Sequence, residues 1–168
     1  MVLEHVRYAP PGASTGHDPG EDSDDLSGKV QSQPKVVVHF LDHRLLKGFA
    51  LGFRLSQLIF LLRPRDAVNP EAAIRVHLAD LKALFFVKEF DGNPAYREFA
   101  GAARPSVLGH QVSVRFRDGE LLRGTSPSRH LRGPGFFVVP MDPRSNNRRI
   151  YVIVANTAEC RFQNEKES

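Results

Sequence analysis

The chain has 168 residues, a net charge of +4, and hydrophobic and charged fractions of 41% and 25%. These values are typical of a globular protein, and the best apolar segment, residues 55–62, is far shorter than the roughly 18 residues that a membrane helix needs. The single cysteine, Cys160, excludes an internal disulfide and a cysteine-rich zinc site. Because no signal-peptide pattern is seen, we expect a cytoplasmic location and no membrane contact.

Residues 1–34 form an acidic segment rich in Pro, Gly, Ser and Asp. Six carboxylates face only Arg7 and Lys29, a net charge of −4, so the rest of the chain carries +8. Large apolar side chains are scarce after Tyr8, and such a segment cannot bury enough surface to offset its ordering entropy. We therefore predict disordered tails over residues 1–34 and 164–168.

Alternating apolar residues predict β-strands from residue 35 onward. Val36, Val38 and Phe40 occupy every second position, and the turn Asp42-His43 separates them from a second strand. The strands of this first unit are placed at about 35–41, 44–53, 57–63, 73–79 and 82–88.

The same pattern returns later in the chain at one constant offset and without a gap. Val36 matches Val112, and Gly48 matches Gly124. Asp118-Gly119 provides a hairpin turn in the second unit, because Gly readily adopts positive φ. This shared register favours an internal duplication. The strands of the second unit are placed at about 111–117, 120–126, 135–140, 149–155 and 158–163.

Five short strands in each unit predict a mostly β protein made of two tandem five-stranded, strongly bent small β-barrels. A glycine inside the second strand of each unit suits the sharp bend that closes a small barrel. The expected domains are barrel repeat 1 at 35–90, a linker with a short helix at 91–109, and barrel repeat 2 at 110–163.

Side-by-side aromatic residues predict an interface between the two units. Phe85 and Phe137 each stand beside a second phenylalanine on a strand, and neighbouring strand residues face opposite sides. We expect both rings, with Tyr96 and Phe99 of the linker helix, to lie between the barrels. Small barrels need such burial because each has only a marginal core of its own.

The segment 112–124 resembles the first two strands of Sm-like barrels, which share its apolar, Asp-Gly, apolar, Gly order. The resemblance implies a small bent barrel. It does not carry over RNA-binding residues, because segments 74–80 and 150–156 lack the Arg/Lys-Gly signature of that family. The segment 81–94 resembles an uncharacterised group of bacterial proteins with the same duplicated layout, which implies a bacterial protein and no particular activity.

The residues do not indicate a catalytic or metal site. The histidines are scattered, and the nucleophile, phosphate-loop and dinucleotide motifs of common enzymes are missing. Cys160 aligns with Leu84, a core-type residue, which indicates a small buried hydrophobe rather than a nucleophile. We therefore predict that the protein is not an enzyme and holds no cofactor or metal.

Arginine distinguishes the second unit, whose nine basic residues are all arginines against four acids. Guanidinium groups bind phosphate and carboxylate bidentately and stack on bases. Two loops, 126–132 and 144–149, are candidates for an anion or nucleic-acid site. Their candidate residues are Arg129, Arg132, Arg144, Arg148 and Arg149.

These observations favour a non-catalytic, regulatory protein-binding or adaptor module in bacteria. Its partner is expected to be another protein, which could add a strand to a free sheet edge. RNA or other nucleic-acid binding through the arginines is the alternative. A third hypothesis is cyclic dinucleotide binding, because the spacing of Arg144 and Arg148 resembles the arginine pair of PilZ domains, although the companion motif of that family is missing. The oligomeric state stays open.

Overall fold

A computed structural model describes residues 6–7, 33–69, 71–93, 95, 109–129, 131 and 133–163, whose regular secondary structure is mostly antiparallel β-strand. The strands are β1 (Val6–Arg7), β2 (Lys35–Phe40), β3 (Leu45–Leu51), β4 (Ile59–Pro64), β5 (Ala72–His77), β6 (Leu81–Val87), β7 (His110–Phe116), β8 (Leu121–Ser126), β9 (Gly135–Pro140), β10 (Asn147–Ile153) and β11 (Thr157–Phe162). Short 3-10 helices at Leu78–Asp80 and Val154–Asn156 precede β6 and β11.

All described strands join one open sheet in the order β1-β5-β4-β3-β2-β6-β10-β9-β8-β7-β11. The mostly β class is confirmed. The sheet does not divide into two separately closed five-stranded barrels, because β6 pairs with β10 and carries the hydrogen bonding from β2–β6 (the first half) into β7–β11 (the second half). The predicted strand positions agree with the observed strands to within a few residues.

Strand pairing in the two halves follows the same register at the offset that the sequence repeat predicts. Val36 lies opposite Gly48 and Phe86 in the first half. Val112 lies opposite Gly124 and Phe162 in the second half, so one constant offset relates all three pairs of positions. The register shift that interrupts β2 against β6 also recurs between β7 and β11.

Glycine in the second strand of each half allows close approach of the third strand. A Cβ on Gly48 would lie 2.3 Å from the carbonyl oxygen of Arg63, and one on Gly124 would lie 2.3 Å from that of Val139. Neither distance is compatible with a side chain, so both positions require glycine where the third strand approaches.

The two hydrophobic clusters share the central pair of strands. Leu84 and Phe86 of β6 lie in the first cluster with the core of the first half. Phe85, which points to the other face, lies in the second cluster with the core of the second half. The side chains of β10 also alternate between the clusters. Tyr151 enters the first cluster, in the core of the first half, and Ile150 enters the second cluster, in the core of its own half. Each half therefore completes its core with side chains of the other half.

A charged contact also joins the halves at the junction, defined as the β6–β10 pairing and its surroundings. Lys82 of β6 is 11% exposed and forms ion pairs with Asp118, at 2.5 Å, and with Glu120. Burial alone would lower the pKa of Lys82, but hydrogen bonds from its ammonium group to both carboxylates outweigh this effect and raise the pKa. The hydrogen bond to Lys82 is also the main cause that lowers the pKa of Asp118.

Some predictions lie outside the described residues. These are the linker helix with Tyr96 and Phe99, and most of the two terminal tails. Within the N-terminal segment, β1 pairs with β5 through Val6 opposite Ala73. Among the helices of the described residues, none combines the length and apolar character that crossing a membrane requires.

Candidate functional site: a basic groove at the junction

An open groove of about 890 Å³ lies beside the junction. Residues of both halves line it, including the chain just before β2 and the start of β10. Its lining is Gln33, Pro34, Lys35, Phe49, Arg63, Phe86, Val87, Lys88, Glu89, Arg148 and Arg149. Five of these side chains are cationic and one is anionic, which gives the groove a strongly positive lining.

The first half contributes one row of neighbouring residues on three strands. Lys35 lies opposite Phe49, and Phe49 lies opposite Arg63. The alternate residue Val36 points into the core, so Lys35 points away from it. The Arg63 guanidinium lies over the Phe49 ring, 4.8 Å from its centroid. Polar residues at alternate positions of these apolar strands thus form one wall of the groove.

The second half contributes two adjacent arginines because β10 is irregular at this point. Asn147 pairs with Val87 and Arg149 pairs with Phe86, which leaves Arg148 as an extra residue between them. Such bulges commonly redirect side chains near functional sites. Arg148 and Arg149 are both exposed, and both line the groove.

Aromatic rings position the guanidinium group of Arg149. It lies 4.7 Å from the ring centroid of Phe86 and 4.3 Å from that of Phe137. Phe137 comes from β9 of the second half and packs against the first cluster, and its ring is also 5.6 Å from Phe86. This stacking restrains the guanidinium plane while its N–H groups stay available to an acceptor.

The cations of the groove differ in how their charge is compensated. Lys35 forms an ion pair with Glu89 at 2.6 Å, and Lys88 donates a hydrogen bond to the carbonyl oxygen of Pro143 at 2.9 Å. Arg63, Arg148 and Arg149 have no carboxylate within ion-pair distance among the residues that the structure describes. These three arginines are therefore the groups best suited to bind an external anion.

The structure places the five predicted arginines in different locations. Arg148 and Arg149 lie together in the groove. Arg144 and Arg129 do not line the groove. Arg144 forms an ion pair with Asp142 at 3.3 Å, and Arg129 donates a hydrogen bond to the carbonyl oxygen of Gln163 at 2.9 Å. Arg132 lies outside the described residues.

Sequence reasoning missed the contribution of the first half, namely Lys35, Arg63 and Lys88. An available signal was the position of Phe49 and Arg63 on the outward face of apolar strands, where an aromatic beside an arginine is chemically notable. Of the predicted interface residues, Phe85 lies in the second cluster and Phe137 packs against the first.

Metal-ligand side chains do not cluster in the described residues. No set of three His, Cys, Asp or Glu side chains there could hold a metal ion. His39 stacks on Phe85 with a centroid distance of 4.1 Å, and burial lowers its pKa. Cys160 is partly buried and packs against the second cluster.

The fold and groove together define an open-sheet β protein with a basic, aromatic-backed groove between two similar halves. Residues 32–163 match the model of a family of unknown function, DUF6982, and the chain belongs to this family. No curated protein and no solved structure matched the chain.

Proposed function

We propose that this protein is a non-catalytic binding module that holds single-stranded nucleic acid in the junction groove. The observation that carries the proposal is the pair Arg63 and Arg149, each held against phenylalanine rings with no carboxylate partner among the described residues. Guanidinium groups in this state can bind phosphate oxygens with their edges and stack on bases with their planes.

The shape of the groove favours a flexible strand over a duplex. Lys35 and Arg63 are only partly exposed in the recess, so a rigid double helix would reach them poorly. A single strand can follow a groove that is open to solvent, and proteins commonly bind such strands by combining basic and planar side chains. The contacts available are to phosphates and ring faces, which predicts weak dependence on base sequence.

The test is fluorescence anisotropy with labelled oligouridylate of about 12 nucleotides in roughly 50 mM salt. Arg63→Ala and Arg149→Ala are each expected to weaken binding by about 10- to 150-fold, since a hydrogen bond to a charged group is worth about 1.5–3 kcal/mol. Arg123→Ala is the matched control, because it removes the same charge from an exposed position on β8 outside the groove.

Competition identifies the ligand class. Unlabelled single strand should displace the probe, whereas duplex of the same length and cyclic di-GMP should not. Displacement by cyclic di-GMP at low concentration would instead support the cyclic dinucleotide alternative. Absence of binding, or an equal loss in Arg123→Ala, would overturn the proposal.

We also propose that the two halves are copies of one small Sm-like β unit, in a bacterial cytoplasmic protein. The support is the identical register of the strand pairs at the constant repeat offset and the matching 3-10 helices before β6 and β11. Under this proposal the groove arises where the two copies meet, so neither copy alone would contain it.

A protein-binding adaptor role is the second candidate. The observation that favours it is the edge of β11, which pairs only with β7 among the described strands and leaves backbone groups for an added strand. Affinity capture from a native bacterial lysate, with a variant carrying Cys160→Pro on β11 as the control, tests it. A partner held by the wild-type protein and released by the proline supports this role, and equal capture by both contradicts it.

A further inference from the structure

The junction between the halves is an apolar pairing of two strand edges. From β6, Ala83, Phe85 and Val87 enter the second cluster, and all three are buried. From β10, Tyr151 and Ile153 enter the first cluster and are buried as well. These five crossing residues each lie on a strand of one half and pack in the core of the other half. Their burial therefore stabilises the pairing of β6 with β10.

The outer edges of the sheet carry polar residues at the five positions that the repeat offset relates to these crossing residues. On β11 and just after it, Glu159, Arg161 and Gln163 correspond to the three crossing residues of β6. On β5, Arg75 and His77 correspond to the two of β10. Four of these side chains are exposed and Glu159 is partly exposed.

We propose that these five polar side chains prevent the chain from assembling with a second copy of itself through strand edges. The inference rests on the proposed equivalence of the two halves. A second copy would present β11 to β5 in the way that β6 meets β10, and the register would set Arg161 opposite Ile74 and Glu159 opposite Val76.

That pairing would desolvate charged groups that are already satisfied. Glu159 pairs with Arg161 at 2.6 Å and lies 3.9 Å from Arg115 on its own half. Placing these charges against Ile74 and Val76 would remove water without adding an opposite charge, which is unfavourable. Inward-pointing charges are a common means of protecting sheet edges from aggregation.

The short strand β1 adds a second obstacle on the β5 edge. Val6 of β1 pairs with Ala73 of β5. The repeat offset relates Ala73 to Arg149 of β10, and Arg149 pairs with Phe86 of β6 at the junction. β1 thus begins to cover β5 where β6 covers β10. It spans only two residues, so it should yield to a longer strand.

Two full-length variants test the proposal, each giving one edge the side chains of the junction. The β11 variant carries Glu159→Ala, Arg161→Phe and Gln163→Val, and the β5 variant carries Arg75→Tyr and His77→Ile. Sedimentation equilibrium should give the wild-type mass, 18.8 kDa, for the wild type and for each variant alone. An equimolar mixture of the two variants should form a dimer, and a chain with all five substitutions should form larger assemblies as its concentration rises.

Folding of each variant is checked by circular dichroism before mixing. Folded variants that stay monomeric in the mixture would overturn the proposal. The wild type supplies a second measurement if a variant fails to fold. Wild-type oligomers at high concentration that Arg75→Pro, at an exposed position of the β5 edge, dissociates would also overturn the proposal. The proposed oligonucleotide groove does not include these edges. Absence of oligonucleotide binding by the wild type would therefore reject the proposed function and leave this inference standing.

Discussion

Phe85→Ala should destabilise the second half of the protein, although Phe85 lies on β6 of the first half. The side chain is 8% exposed and lies in the second cluster with Val114, Phe136 and Val138. Removing a buried phenylalanine costs about 3–5 kcal/mol, from the lost transfer free energy and the cavity left behind. Global stability is typically about 5–15 kcal/mol, so the loss is a large fraction of it.

Thermal and urea denaturation followed by circular dichroism measure this change. A loss of this size lowers the melting temperature by about 6–20 °C in a domain of this length. The control is Leu45→Ala, at a side chain that is 59% exposed, where the expected loss is below about 0.5 kcal/mol. Hydrogen exchange should then show faster opening of β9 in the Phe85 variant. Faster exchange confined to residues 33–93, or a loss below about 1 kcal/mol, would refute the shared-core reasoning.

Two further predictions concern the junction and the close approach of β4 to Gly48. Lys82→Met should lower the unfolding free energy by about 1–2 kcal/mol at neutral pH. The folded protein lowers the pKa of Asp118 below its usual 3.8, so the ion pair with Lys82 stabilises the fold fully above pH 3.8. The difference in unfolding free energy between wild type and Lys82→Met should therefore shrink as the pH falls below 3.8. A free-energy difference that stays constant down to about pH 2 would contradict this prediction. Gly48→Ala should cost about 1–3 kcal/mol in urea denaturation, because its Cβ would meet the carbonyl of Arg63. Gly92→Ala, with its nearest contact at 3.9 Å, should be close to neutral, and equal losses at both sites would reject the packing argument.

The strands could be predicted from the sequence because each depends on local alternation of apolar and polar residues. Val36 and Val38 are buried, as the period-two pattern requires, and Gly48 and Gly124 lie inside the second strand of each half. The adjacent Phe85 and Phe86 of β6 face opposite sides of the sheet and enter different clusters. Both kinds of signal are readable without knowing which strands are neighbours.

The single open sheet could not be predicted, because strand alternation does not reveal which edges meet. The β6–β10 pairing joins residues such as Phe85 and Ile150, which are far apart in sequence. The groove follows from that pairing, which brings Arg149 to Phe86. Charge counting by unit therefore included Arg148 and Arg149 of the groove but not Arg63, whose place in the groove depends on the tertiary arrangement.

The salt dependence of oligonucleotide binding tests the central claim most directly. If three to five phosphates contact the groove, log Kd for oligouridylate should change with log salt concentration with a slope of about 2–3.5, since each phosphate contact on a single strand contributes about 0.7. Arg149→Ala should reduce the slope by about 0.7, and Arg123→Ala should leave it unchanged. Binding that does not depend on salt, or a slope that Arg149→Ala leaves intact, would contradict a nucleic-acid groove at the junction.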